Sequence, residues 1–350
     1  MRIEPFGDSS HGPVQVLTIG SEPGPVLELL DLGATVHRLW VTGGDGVRRN
    51  VVLGHATPEE HLTSTHYLGG TIGRYANRIA KGRFLLDGRE VQVAVNDRGN
   101  HLHGGPEGFD RRIWTVEDSS ERHVVLHLVS EDGDQGFPGR LEVRVRFETG
   151  PETGPDSVRV QFAATTDATT VVNLTSHAYF NLNGEGTGTT DGHRLRIDAD
   201  EYLPVDDTGA PTGDPEPVSG TPFDVREPTP VGECARGLHP QVVAAHGIDH
   251  NYLPRGTGWR VLAELDSART ATQLELSSDQ PGLQVYTGNG LDGVLGSTQG
   301  RLYRQGDGIA LEPQLFPDSP NRPEFASPVL HPGETYQSAL EWRFLPLDPV

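Results

Sequence analysis

The chain has 350 residues, enough to bury a sizeable core without disulfide or metal staples. Acidic side chains outnumber basic ones by 49 to 28, and a net charge of −21 repels phosphate backbones and anionic lipid, so no nucleic-acid or membrane partner is expected. The one cysteine, Cys234, excludes an intrachain disulfide and a cysteine-rich metal centre.

Met1 to Gly20 lacks the apolar run of a secretion signal, and no stretch approaches membrane-spanning length, so a soluble cytoplasmic protein is expected. Helical periodicity is nearly absent. Alternating or β-branched runs occur at residues 14–19, 25–30, 124–129, 141–147, 158–162, 260–265, 273–276 and 338–344. Such alternation turns one face inward and one to solvent, which is the antiparallel strand pattern. Asp-Gly pairs at 87–88 and 132–133 punctuate the runs as hairpin turns. Residues 148–156, rich in Gly, Pro and Glu, read as an exposed loop, and the longer Pro/Gly/Asp-rich stretch 204–230 as a functional one. The fold class is therefore all-β: one large antiparallel β-sandwich, a single domain over residues 1–350, with strands numbering in the twenties at most.

Four segments combine reactive side chains with glycine or aromatic neighbours. In Gly69-Gly70-Thr71-Ile72-Gly73-Arg74-Tyr75-Ala76-Asn77-Arg78-Ile79, the amide of Asn77 and the fork of Arg78 suit sugar hydroxyls. The run lacks the glycine spacing and Gly-Lys-Ser/Thr ending of a phosphate loop. In Asn100-His101-Leu102-His103-Gly104-Gly105, alternation aims His101 and His103 at one face, where they can transfer protons or serve the structure. Two histidines so spaced can also bind a metal, but no third ligand stands nearby and none is expected. In Asn173-Leu174-Thr175-Ser176-His177-Ala178-Tyr179-Phe180-Asn181, His177 sits among aromatic and amide groups that can tune its basicity. In Leu311-Glu312-Pro313-Gln314, a carboxylate ends an apolar run, where desolvation raises its pKa toward that of a general base. Asp249, beside His250 and Tyr252, and Gln280, in a turn, offer further contacts to a neutral polyol. On spacing alone each segment is also compatible with a structural turn or strand end, and His177 and Glu312 taken singly fit a structural histidine and an ordinary strand-end glutamate better.

Taken together and in this order, the Gly-Arg-Tyr-Ala-Asn-Arg-Ile, Asn-His-Leu-His-Gly-Gly, Thr-Ser-His-Ala-Tyr-Phe-Asn-Leu and Leu-Glu-Pro-Gln-Leu-Phe-Pro-Asp runs resemble the aldose 1-epimerase (galactose mutarotase) family. The resemblance implies a β-sandwich with an open cleft, no cofactor and no metal, acting on a free hexose. It implies Glu312 as general base, His177 as general acid, and His103 as a hydrogen-bonding partner of the reacting sugar. Arg78, Asn77, Asp249 and Gln280 resemble sugar-binding positions. Pro313 departs from the family, which often has threonine there, and removes a backbone donor. A monomer or weak homodimer is expected, with a small-molecule monosaccharide as the partner. An imidazolium beside a carboxylate-rich cleft is expected to hold its proton above about 6.5. The competing readings are a hexose-phosphate epimerase, which needs cations such as Arg78 and Arg74 at the cleft. A sugar-binding module would lack the acid/base pair, and a glycoside hydrolase would need two carboxylates flanking the bond.

Overall fold

In the strand Leu141–Thr149, buried and half-exposed residues alternate without a break. Val143, Val145 and Phe147 point inward, and Glu142, Arg144, Arg146 and Glu148 point out. The same period of two runs through the neighbouring strand His123–Ser130, so the two pair antiparallel in perfect register. The computed structural model describes residues 1–150 and 154–347 and consists chiefly of such strands.

Nine strands form the largest sheet. Their order is Thr115–Ser119, His123–Ser130, Leu141–Thr149, Ser157–Thr166, Tyr336–Pro346, Thr272–Ser278, Arg260–Ser267, Arg194–Arg196 and Thr229–Pro230. A five-stranded meander runs in chain order from Arg2–Ser9 to Arg48–Asn50. The third sheet has six strands, ordered Tyr179–Phe180, Ile309–Gln314, Gly282–Tyr286, Asp249–Pro254, Ala199–Leu203 and Glu216–Pro217. One apolar cluster draws Leu27 and Leu29 from the meander, Val143 and Trp342 from the nine-stranded sheet, and Val285 and Leu311 from the six-stranded one. The burial of this shared core is the driving force that layers the sheets.

All eight strand runs read from the sequence are strands in the structure. The Asp-Gly pair at 87–88 closes a two-residue hairpin with φ of 50° and 75°, the left-handed values that such a turn requires. The pair at 132–133 instead begins a longer connection containing a short 3₁₀ turn. Of the loop at 148–156, Glu148 and Thr149 extend the preceding strand, and residues 151–153 lie outside the described residues. Thirty strands are found among the described residues, above the expected twenties. Many of the added ones have only two residues, too few to show alternation.

The six-stranded sheet has two very different faces. Ile309 and Leu311 join the main core, whereas Ala310, Glu312 and Gln314 project to the other side. The same alternation puts Leu283 and Val285 in the core and Gln284 beside Glu312. Pro313 does not disturb this strand: the register holds through Gln314, and the Pro313 carbonyl accepts from Thr175 Oγ1 at 2.7 Å.

Arg74 is not a cleft residue. It is 2% exposed, and its guanidinium donates to the carbonyls of Ser130, Glu131, Pro138 and Gly139 and to the hydroxyls of Ser130 and Thr170. Arg74→Ala leaves these acceptors without a donor. It is expected to cost on the order of 3 kcal/mol or more, read by urea denaturation, with kcat unchanged in the fraction that folds.

Candidate active site

Glu312 stands on the inner strand Ile309–Gln314, directly opposite Gln284 in the adjoining strand. It is 1% exposed, and its Oε2 has no hydrogen-bond partner among the described residues. Its Oε1 lies 3.5 Å from His177 Nε2. Both side chains open into a cleft of about 370 Å³. A buried carboxyl oxygen without a protein donor, beside an open cleft, is free to meet a bound molecule there.

His177 sits between the two-residue strands Thr175–Ser176 and Tyr179–Phe180. Its N–H donates to the Gly70 carbonyl at 2.9 Å, and its carbonyl accepts from Gly69 N–H at 3.0 Å. Gly69 has φ of +72°, and a Cβ there would lie 2.1 Å from the Val36 carbonyl oxygen, so only glycine fits. The glycines of the first motif therefore grip the backbone of the third.

Asn77 and His103 both adopt left-handed backbone, with φ of 62° and 52°. Asn77 N–H donates to His103 Nδ1 at 3.2 Å, and His103 N–H donates to the Asn77 carbonyl at 3.2 Å. The first of these bonds occupies the Nδ1 lone pair, so Nε2 carries the hydrogen and His103 presents a donor. His101 does not join it. The left-handed turn at His103 breaks the alternation expected from the sequence; His101 Nδ1 contacts the Ala94 carbonyl at 2.7 Å, with its ring against Phe137.

Arg78 and Asp249 line the same cleft, linked by a chain of polar contacts. Arg78 Nε donates to Asp97 at 2.9 Å, its Nη1 lies 4.0 Å from Asp249, and Gln284 donates to Asp249 at 2.7 Å. Gln280 does not line the cleft and needs correcting. It lies in the bend before the strand Gly282–Tyr286 begins, donating its N–H to Ser278 Oγ. That is roughly 13 Å of extended chain from Gln284. Gln284 is the amide that reaches the site, and its signal was present: a glutamine between Leu283 and Val285, inside an apolar strand. Asp97, Arg98, Tyr67 and Tyr286 also line the cleft and were not singled out. Asp97 and Arg98 follow the short run Val93-Ala94-Val95, but neither is itself flanked by an apolar or aromatic residue that would mark it. Of the long segment 204–230, Val205, Asp206, Asp207 and Gly209 form one wall.

Burial sets the protonation of the central pair. It pushes Glu312 well above the usual carboxylate range, helped by the charge of Asp249 and opposed by Arg78. It pushes His177 down to about 4, against the pull of Asp249. The imidazole is thus not held charged above 6.5 as the sequence suggested, because desolvation outweighs the attraction of the acidic neighbours. His103 is also driven well below the usual histidine value by burial, with His177 and Arg78 adding to it.

Candidate ligand atoms of His103, His177 and Glu312 all lie within 4.8 Å of one another, close enough to consider a metal. The hydrogen bonding argues against one. A metal-bound imidazole donates its second ring N–H to an acceptor. Here the second nitrogen of His103 accepts from a backbone N–H, so its free nitrogen has no lone pair to offer.

A family model described as Aldose 1-epimerase matches residues 15–343. The chain belongs to the aldose 1-epimerase family. The aldose 1-epimerase of Escherichia coli K12 is 40% identical over 346 residues, which is 95% of this chain and 96% of that one. Human galactose mutarotase is 40% identical over 342 residues, 97% of each chain. The crystal structure of galactose 1-epimerase from Lactobacillus acidophilus has a TM-score of 0.86 at 27% identity, over 99% of this chain and 98% of that one. The reaction is that of the family, an isomerisation that interconverts the anomers of an aldose. Dialysis against EDTA is expected to leave its polarimetric rate unchanged; a loss restored by zinc would show that His103 ligates after all.

Proposed function

We propose that this epimerase acts on a free hexose of the glucose or galactose type, with Glu312 and His177 as the base and acid that open and close the ring. The observation that carries this reading is the Glu312 carboxyl, buried without a donor and 3.5 Å from an imidazole, facing a cleft lined with sugar-binding groups. Among the described residues lining that cleft, Asp97, Asp206, Asp207, Asp249 and Glu312 face only Arg78 and Arg98 as full cations. Arg78 is already bonded to Asp97, and Arg74 is turned into the protein, so nothing favours a phosphorylated sugar.

In the productive state the carboxylate of Glu312 removes the proton from the anomeric hydroxyl at C1. His177 delivers its Nε2 proton to the ring oxygen O5 as the C1–O5 bond breaks, leaving an open-chain aldehyde. Rotation about C1–C2 presents the other carbonyl face, and the same transfers run backward close the opposite anomer. His103, as an Nε2–H donor, can hold a sugar oxygen during this exchange, while Asn77, Arg78, Asp249 and Gln284 hold the hydroxyls. Each positioned proton-transfer group contributes on the order of 10² to 10⁴ in rate. No cofactor has a step in this sequence. The enzyme works as one catalytic unit, a monomer or weak homodimer, in the cytoplasm; its lone, buried cysteine suits a reducing compartment. Among the described residues no helix is long and apolar enough to cross a membrane.

Glu312→Gln keeps the shape of the side chain but cannot take a proton. It is expected to reduce mutarotation of freshly dissolved α-glucose or α-galactose by at least about 10² while sugar binding by calorimetry persists. A variant retaining more than about a tenth of the rate would remove Glu312 from the role.

The pH profile follows from the pair as a unit. Burial favours the neutral form of each group, so the pair holds one proton from about 4, where His177 takes up a second, to the raised value of Glu312, where the last one leaves. Within that window the proton passes between the carboxyl and the imidazole. Below it no base is free, and above it no acid remains. kcat/KM is therefore expected to be bell-shaped, with an acidic limb near 4 set by His177 and a basic limb set by Glu312. His177→Asn should lose the acidic limb from its residual activity; a flat wild-type profile would rule out the two-group mechanism.

A further inference from the structure

Tyr67 lies outside every motif in the sequence, yet it touches both catalytic-site imidazoles. Its ring centroid is 4.7 Å from that of His103, edge-on at 61°, and 5.9 Å from that of His177 at 31°. The residue is held at φ of +55°, a left-handed conformation that costs a bulky L-residue energy and concentrates at functional sites. Its carbonyl accepts from Gly70 N–H at 3.0 Å, so it starts the turn whose glycines grip the backbone of His177. The hydroxyl has no hydrogen-bond partner among the described residues, and burial raises its pKa, so it stays protonated. Tyr67 therefore contributes a ring, in a costly backbone conformation, at the place where the acid must be aimed.

We propose that Tyr67 is a positioning residue for the proton transfer: its ring holds the imidazoles of His103 and His177 in their orientation toward the sugar and keeps water off them. The proposal rests on the reading of His177 as the acid. Without the ring, the two imidazoles lose a shared wall, and His177 keeps only Tyr179, stacked at 5.0 Å, and the edge of His103 at 5.2 Å as ring contacts among the described residues. The other titratable groups facing His177 are Glu312, Asp249, His66 and His103. None of them replaces an apolar surface.

The test compares ring-retaining and ring-deleting variants in the full-length enzyme. Tyr67→Phe is expected to keep kcat within about threefold of wild type. Tyr67→Leu is expected to lose at least about tenfold in kcat with KM little changed, since misaligned groups slow chemistry more than binding. Its acidic limb should also move from near 4 toward 6.5, as water reaches His177 and relieves the desolvation. That shift is the readout a merely structural role would not produce. Tyr67→Asn, which tolerates left-handed backbone, gives a second ring-free variant should the leucine chain not fold. Wild-type kcat and an unmoved limb in a folded ring-free variant would overturn the proposal. So would a Tyr67→Phe variant as slow as Tyr67→Leu, which would assign the effect to the hydroxyl. If His177→Asn itself stays active, the acid assignment fails; if it is inactive while Tyr67→Leu is unaffected, only the role of Tyr67 fails.

Discussion

Removal of the Glu312 carboxyl from water, with no donor supplied in exchange, is the constraint that organises the site. A carboxylate at the surface would sit near pH 4 and make a feeble base at neutrality. One within a sheet is pushed to hold its proton, and the cost is borne by a protein large enough to pack three sheets around a single apolar cluster. The same dryness pushes His177 the opposite way, so two groups of very different ordinary acidity are brought toward each other. Proton exchange between them becomes easy because neither has a strong claim on the charge.

The elements around the pair keep it in line. His177 is carried by irregular chain, and irregular chain is normally mobile, but here backbone hydrogen bonds to two glycines fix it from both sides. Asn77 and His103 lock each other through a reciprocal pair of bonds. Asp249 is steadied by Gln284 and, through Arg78, by Asp97. The groups that line the cleft are thus held by main-chain geometry and partly buried polar chains, which require little movement when charge shifts.

Much of this is legible in the sequence. Long strands announced themselves because one face was wet and the other dry, as in Leu141–Thr149. Glu312, His177, His103, Arg78, Asn77 and Asp249 were all singled out, and all line one cleft. The failures have physical causes. Alternation misled at His101 because the chain turns left-handed at His103, which no local pattern of side chains reveals. Gln280 was chosen over Gln284 because a turn looks accessible and an apolar strand does not, although a buried amide in such a strand has to find a polar partner. Arg74 and Arg78 are four residues apart in one motif, but one is spent on four carbonyls inside the fold and the other faces the cleft. The acidity of His177 was misjudged because counting neighbouring charges says nothing about exclusion of water.

The two-faced strand Ile309–Gln314 also limits how such a protein can change over time. Its side chains alternate between the oily interior and the cleft, so inserting or deleting one codon ahead of Glu312 would exchange Glu312 with Leu311 or Pro313. Length variation in that segment is closed to evolution except in pairs of residues. The wall at Val205 to Gly209 obeys no such parity, being a loop. Divergence in the shape of the cleft can therefore accumulate there by insertion and deletion, while Glu312 and its strand change only by substitution.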